Sequence, residues 1–570
     1  MKNLLTRTEK TILAIATHAV FFLVFTLLVI NAGFVFHAAI NAWTLPVSFA
    51  IYTTGALSFH AWRAKWSIGK VAGVAAAAFV VPIVFFWAGT ASFSRTFDAS
   101  WDGQNYHATG IIGLAHGWNP VYQDDVPLEA ANQEGGTIGS PKALWELQAA
   151  IYKVVQPLES VFITNAYIVL VALAMAFVAL VSLGIKRWWA TPLAVLFVVA
   201  PQSLQQFFSF MGDGFSYELS VIAAASLALI AKNVQPRVLC VLFLSVMVFL
   251  AGIKLSNAYI AVPLTILFSA LVYRRGFYKQ RWALLVAGMA VIAGIVLLWA
   301  PYATNLLRHG SPIYPFNEPG HRGSMTYEGV PINIHNDSPL QLFYYGIFSK
   351  TVGGHARSEE NNSVIKVPFT VYQSELRALD SDREHLLGGE GVLFSGILIV
   401  ACIAFVMLLV WEKSPRDRAL VRYAAITLAL ILGGILLNPI PNYVRYVGQL
   451  WWLPLIIIVA LLLLHHPKTR KVRLWLAGGL LVLAGANMLI SATFTLNGRL
   501  RENAEITQQI TELRQNGKAY QVRLGYFYSH VVRLSERGVQ VERTSTILCK
   551  QPTKLAYSWN TTSLCEKQLH

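Results

Sequence analysis

Apolar residues in this chain come in long blocks separated by short polar connections. Blocks near the ~20 residues needed to cross a bilayer are centred at 11–33, 44–62, 71–91, 161–184, 189–207, 215–231, 237–252, 255–273, 282–303, 391–412, 419–437, 447–465 and 473–495. Lipid offers the backbone no hydrogen-bond partners, so each block is predicted to be a helix. The first block is long and lacks a small-residue cleavage site, so it reads as a span rather than a removable signal peptide. Charged residues make up 13% of the chain, about half the ~25% usual in soluble domains. The pattern predicts an all-α polytopic membrane protein of about 13 transmembrane helices.

The net charge of +16 would suggest nucleic acid as a partner in a soluble protein. Its distribution gives another answer. With the amino terminus inside, the inside connections become RAKWSIGK, KRWW, AKNVQPR, YRRGFYKQR, EKSPRDR and HHPKTRK. Together with the amino terminus they hold three acids (Glu9, Glu412 and Asp417), and the other 26 of the 29 fall on the far side. Short basic connections on one side set orientation, so the charge is a topology signal and not a nucleic-acid footprint.

Three large segments, about 92–160, 304–390 and 496–570, then lie outside. The chain divides into an added hairpin (1–70), a helical body (71–495) carrying outer loops 92–160 and 304–390, and a small outer carboxy-terminal domain (496–570). In the first loop, ALWELQAAIYKVV (143–155) puts Leu144, Leu147, Ala150, Ile151 and Val154 on one helical face. It is either an amphipathic helix on the membrane surface or an ordinary helix packed on protein. The tail reads as a polar helix, then strands around a short helix, a small α/β cap. Cys240 and Cys402 sit in apolar runs as small hydrophobes. Cys549 and Cys565 share the outer tail, where an oxidising compartment permits a disulfide, the alternative being two free thiols.

Ionisable groups at a membrane boundary are costly unless they face water or a cavity, and several meet there. TFDASWDGQNYH (96–107) holds Asp98, Asp102, Tyr106 and His107 where the third block ends. QQFFSFMGDGFSYE places Asp213 in a short outer turn, and FLAGIKLSNAYIAVP encloses Lys254 in apolar sequence. LLRHGSPIYPF adds Arg308, and NPIPNYVRYVGQLWWLP adds Tyr443 and Arg445. Cations at this level can hold a lipid-borne phosphate, and a carboxylate can take a proton from an incoming hydroxyl. The bland readings are a solvated turn for the carboxylates and a snorkelling side chain for Lys254.

WDGQNYH, GWNPVY, GSPIYPF and NYVRYVGQLWWLP together resemble the GT-C glycosyltransferases, polytopic enzymes using polyprenyl-phosphate-linked sugars and related to aminoarabinose transferases and protein O-mannosyltransferases. The resemblance covers about residues 71–465. It implies that Asp102 is the base activating the acceptor, with Asp98 in reserve, and that Tyr106 and His107 line the same pocket. It also implies that Asp213 matches an acid on a later outer turn and that Lys254 and Arg445 meet the donor phosphate. The expected activity is that of an inverting hexosyl- or pentosyltransferase (EC 2.4 class) of the cell envelope. It would act at the outer, periplasmic face of a bacterial inner membrane, on a glycan (such as lipopolysaccharide), lipid or protein hydroxyl. The leading hairpin and small tail depart from the family and leave the acceptor open. A divalent metal is also open: Asp102 and Asp213 are hard oxygen ligands, without dedicated ligand spacing.

Two rivals remain. An O-antigen ligase or polymerase would use a lipid-diphosphate donor and rely mainly on the late loop. A transporter of lipid-linked sugar would show repeats and mid-membrane polar residues, whereas here the polar groups gather at the boundary.

Overall fold

The structure, a computed structural model, describes residues 5–65, 67–128, 136–315, 329–353, 361–381, 385–411, 414–546, 549, 551–559 and 561–567. Phe316, which ends the GSPIYPF stretch, lies outside them. Each of the thirteen apolar blocks is largely helical over its described residues, and the chain is an integral, multi-pass membrane protein. Eight helices are long and apolar enough to cross a membrane: Arg7–Val35, Ile68–Phe93, Leu158–Leu183, Asp213–Ala231, Pro236–Ile253, Leu255–Arg274, Pro415–Leu436 and Arg470–Gln515. Arg281–Leu297 with Trp299–His309, bent by 69°, would make a ninth. Phe394–Val410 and Gly448–Leu463 are shorter apolar helices. The expected count of thirteen spans is therefore not reached on length and hydropathy among the described residues. The shortfall has local causes. The helix Arg187–Val198 runs only 12 residues before Ala200-Pro201 restarts the chain as Pro201–Gln205, and Thr44–Ala64 mixes Ser, Thr and His into its apolar sequence.

Helix ends are closed by side chains where sequence provides them. Thr6 and Glu9 form a capping box on the first helix, and Glu9 also pairs with Arg187 at 2.9 Å. At the far end of Trp452–Leu463, Arg473 donates to the carbonyls of Leu461 (2.9 Å) and Leu464 (2.7 Å). It supplies the positive charge and the donors that a helix carboxy terminus lacks.

The helix Ala143–Tyr152 is buried along all ten residues. Of the two sequence readings, packing on protein prevails over the membrane surface. Its reason is Glu146, which accepts from Asn31 of the first helix at 2.6 Å and could not lie in lipid. The last apolar block and the polar tail helix are one element, Arg470–Gln515, of 46 residues. Beyond it the strands Gln540–Arg543, Ala519–Arg523, Ser563–Glu566 and Thr553–Lys554 lie side by side in that order. The first pair is parallel, which requires a crossover, and the helix Ser529–Glu536 supplies it. Tyr520, Val522, Leu534, Val539 and Leu564 form its core together with Ile506 and Ile510 of the long helix.

Candidate active site

The turn that carries the first-loop carboxylates is built on Asp98. This side chain is fully buried and accepts four hydrogen bonds. Ser100 donates to Oδ1 through its backbone N–H (2.8 Å) and its hydroxyl (2.6 Å). The Ser209 hydroxyl (2.7 Å) and the Phe210 N–H (2.8 Å) donate to Oδ2. A carboxylate so saturated fastens the first loop to the 205–213 turn and has no lone pair directed at a substrate. Asp98 thus anchors the turn that presents Asp102. The chain passes so close to it that a Cβ on Gly103 would lie 1.9 Å from Asp98 Oδ2, which explains the glycine of WDGQNYH. From there Gly103–His107 winds as a π-helical turn, a form frequent at functional sites.

Asp102, at the head of that turn, meets a cation from a distant part of the chain and a phenol from its own turn. Arg445 Nη1 lies 2.8 Å from Asp102 Oδ2, with side chains 9% and 18% exposed respectively. The Tyr106 hydroxyl, one helical turn on, donates to the same oxygen at 3.3 Å. Lys254, in the extended break between Pro236–Ile253 and Leu255–Asn257, reaches Asp213 Oδ1 at 2.5 Å. Tyr446 joins the two pairs. Its ring lies under Lys254 Nζ at 4.1 Å and under the Arg445 guanidinium at 4.9 Å, and its hydroxyl accepts from Arg445 Nη2 at 2.8 Å. Tyr443 covers Arg445 from another side, 4.8 Å from ring to guanidinium.

Burial by itself would raise the Asp102 carboxyl. The nearby cations, Arg445 foremost, outweigh it and hold the group below the usual carboxylate range. The same burial, aided by Asp102, pushes the Tyr106 hydroxyl well above its ordinary value, so it stays a donor. Burial also pushes His107 down to about 4 against the pull of Asp102, so the ring is neutral. Its Nδ1 accepts from Trp145 Nε1 at 2.8 Å, which assigns the proton to Nε2. That Nε2, like Asp213 Oδ2, is buried and has no hydrogen-bond partner among the described residues. Unmade bonds of this kind cost about 1–3 kcal/mol each, and both lie among the groups that act electrostatically on Asp102 and Tyr106. Beside the ion pairs opens a cavity lined by Gln202, Asp213, Ser216, Tyr217, Asn257, Arg445, Tyr446 and Gln449, among others. It is a polar space of amides, hydroxyls and aromatic rings.

The structure therefore gathers Asp102, Tyr106, His107, Asp213, Lys254, Tyr443 and Arg445 into one site. It does not bring Arg308 there. Arg308 pairs with Asp124 at 2.6 Å and donates to the Val121 carbonyl at 2.9 Å, locking the first loop to the end of the bent helix pair. Tyr446 was missed in sequence although it sits beside Arg445, because an aromatic at a membrane boundary reads as an interface anchor. Gln202 gave no signal. A trace of it existed in Gly448, where a Cβ would lie 1.5 Å from Gln202 Nε2. Both site carboxylates are taken up by side-chain cations, which leaves a metal ion little free negative charge. Among the described residues no group of three or more His, Cys, Asp or Glu side chains could hold one. In the tail, Cys549 and Cys565 are bonded, with Cα atoms 6.0 Å apart.

Fold and site define a class: a polytopic helical membrane protein whose paired carboxylates and cations converge where several of its apolar helices end. No known family matches the chain, and no curated protein matches its sequence. Among solved structures it is similar to the crystal structure of ArnT from Cupriavidus metallidurans bound to undecaprenyl phosphate. The identity is 14%, with 82% of this chain and 86% of that chain covered, at a TM-score of 0.41. A likeness at that score carries no argument about function, which rests on the residues of the chain itself.

Proposed function

We propose that the protein is an inverting glycosyltransferase of the GT-C kind, moving a sugar from a polyprenyl-phosphate donor to a hydroxyl acceptor. The observation that carries this reading is the convergence of Asp102–Arg445 and Lys254–Asp213 around Tyr446 at a membrane boundary. Two cations at this level suit a phosphate whose lipid tail stays in the bilayer. A carboxylate beside them suits proton removal from the acceptor. In the reaction the acceptor oxygen bonds to the anomeric carbon while the bond from that carbon to the phosphate oxygen breaks. The acceptor proton passes to Asp102. Polyprenyl phosphate departs with the electron pair, held by Arg445 and Lys254. The Tyr106 hydroxyl and His107 Nε2–H offer further donors to charge that develops there, and because they are held in place they need no reorganisation.

The amides and hydroxyls beside the pairs, Gln202, Ser216, Asn257 and Gln449 among them, are the groups that match a ring of sugar hydroxyls. The clustering of charge at the boundary, rather than at mid-membrane depth, speaks against a transporter. By the basic-connection rule the site faces outward, the periplasmic side if the cell is bacterial. The test is mass spectrometry of surface glycans, lipids and proteins in cells with the gene, without it, and with Asp102→Asn. One sugar missing from the same acceptor in the last two supports the proposal, and identical spectra in all three overturn it.

A further inference from the structure

The π-helical turn that presents Asp102 is gripped by the carboxy-terminal tail. Gln104, two residues after Asp102, is fully buried, and its side chain bonds to the carboxy-terminal tail. Its Oε1 accepts from His530 Nε2 at 2.7 Å and from Arg533 Nη1 at 3.3 Å. Its Nε2 donates to the Tyr557 carbonyl at 3.1 Å. Its backbone carbonyl accepts from the Ser529 hydroxyl at 2.8 Å. Arg533 continues to Glu159 (2.7 Å) and to the Asp98 carbonyl (3.0 Å). An amide oxygen can only accept, so His530 carries its proton on Nε2, and Nδ1 accepts from the Thr562 hydroxyl at 2.8 Å. Next to Asp102, Trp101 packs against Tyr526, Phe527 and Trp559 of the tail, with ring centroids 5.0–5.7 Å apart.

We propose that the carboxy-terminal unit is a positioning element for the base: His530, acting through Gln104, holds the Gly103–His107 turn in the winding that points Asp102 at Arg445. The proposal rests on the reading of Asp102 as base. A π-helical turn is a rare local form, and a buried Gln104 oxygen that loses its 2.7 Å bond from His530 keeps only the 3.3 Å bond from Arg533, which loosens the hold of the tail on the turn. His530 touches no reacting atom. It is a positioning residue.

The experiment compares His530→Leu, which removes the donor, with His530→Gln, whose amide Nε2–H can reach the same oxygen. Full-length protein in nanodiscs is followed by amide hydrogen exchange over residues 99–108 and by affinity for undecaprenyl phosphate. Transfer is read as label moved from native lipid-linked sugars in membranes of a strain lacking the gene. Loss of one buried hydrogen bond corresponds to roughly tenfold or more, so His530→Leu should speed exchange at 99–108 and slow transfer by about that factor. Undecaprenyl phosphate affinity should hold or rise, because a loosened Asp102 competes less for Arg445, and His530→Gln should restore most of both losses. Wild-type exchange and transfer in His530→Leu would overturn the proposal. So would equal losses in both variants accompanied by collapse of lipid-phosphate binding, which marks a general folding role. Should Asp102→Asn transfer normally, the base assignment falls instead, while the exchange data still report whether the tail holds the turn.

Discussion

Replacing Asp102 by Asn should move binding and turnover in opposite directions. In the structure Arg445 is already committed to Asp102 at 2.8 Å, so an incoming phosphate must compete with a carboxylate for the guanidinium. Asn keeps the size of Asp and its contact with Tyr106 but removes the charge. A charge-assisted hydrogen bond contributes about 1.5–3 kcal/mol. Relief of even the lower end of that exceeds the ~1.4 kcal/mol that makes a factor of ten. Undecaprenyl phosphate should therefore bind Asp102→Asn roughly tenfold tighter than wild type. Turnover should fall by about 10²–10⁴-fold, the usual contribution of a general base. The lipid is titrated into nanodisc-embedded protein, and transfer is measured in membranes, with Arg445→Ala alongside. The alanine variant should lose affinity, by roughly tenfold to a hundredfold. If Asp102→Asn also weakens lipid-phosphate binding, the carboxylate is not competing for Arg445, and the assignment of that cation to the donor phosphate is wrong.

Three further outcomes are expected. Gly103→Ala forces a Cβ onto Asp98 Oδ2. Overpacking costs about 1–3 kcal/mol, so faster exchange over residues 96–107 and reduced transfer should appear with membrane insertion unchanged; wild-type exchange would refute the close approach. The folded Asp102 carboxyl is held below its ordinary value, so the stability it contributes is present above the unfolded value and lost as pH falls through the folded one. Thermal stability should drop in acid below about pH 4, less so in Asp102→Asn, and a neutral His107 should give no inflection in turnover between about pH 5 and 7. Thiol labelling of unreduced, denatured protein should spare Cys549 and Cys565, whose bond across 15 intervening residues contributes about 3 kcal/mol by loop closure; full labelling of both would remove it.

Much of the site was legible because ionisable residues in apolar sequence need a reason. Lys254 and Arg445 stood out on that ground, and each is found with a carboxylate. Asp98 and Asp102 could not be told apart by spacing. What separates them is the 205–213 turn, more than a hundred residues away, which with Ser100 occupies the carboxylate of one and leaves the other to the cations. Arg308 carried the same apparent signal as Arg445, yet its partner Asp124 belongs to the loop beside it. The helix Ala143–Tyr152 has an amphipathic pattern in sequence but is covered on every face, since its polar face meets Asn31 and not water. Gln104 and His530 were silent because a neutral amide and a tail histidine look like ordinary surface residues until the two segments meet.

The uninterrupted helix Arg470–Gln515 has a mechanical consequence. At about 1.5 Å per residue its 46 residues form a rod of ~70 Å, less than half of which is needed to cross the hydrocarbon. The remainder carries Ile506 and Ile510 into the tail core, and on the way Gly498 passes so close to Asp380 that a Cβ would lie 1.8 Å from its carbonyl oxygen. Each added or removed residue in such a rod turns everything beyond it by about 100°. The angular phase of the helix where it leaves the membrane therefore dictates which face of the tail meets Gln104. Tilting the rod in a thinner or thicker bilayer would lever that face against the turn. Length changes here should be tolerated only near whole turns, with a seven-residue change far milder than a two-residue one.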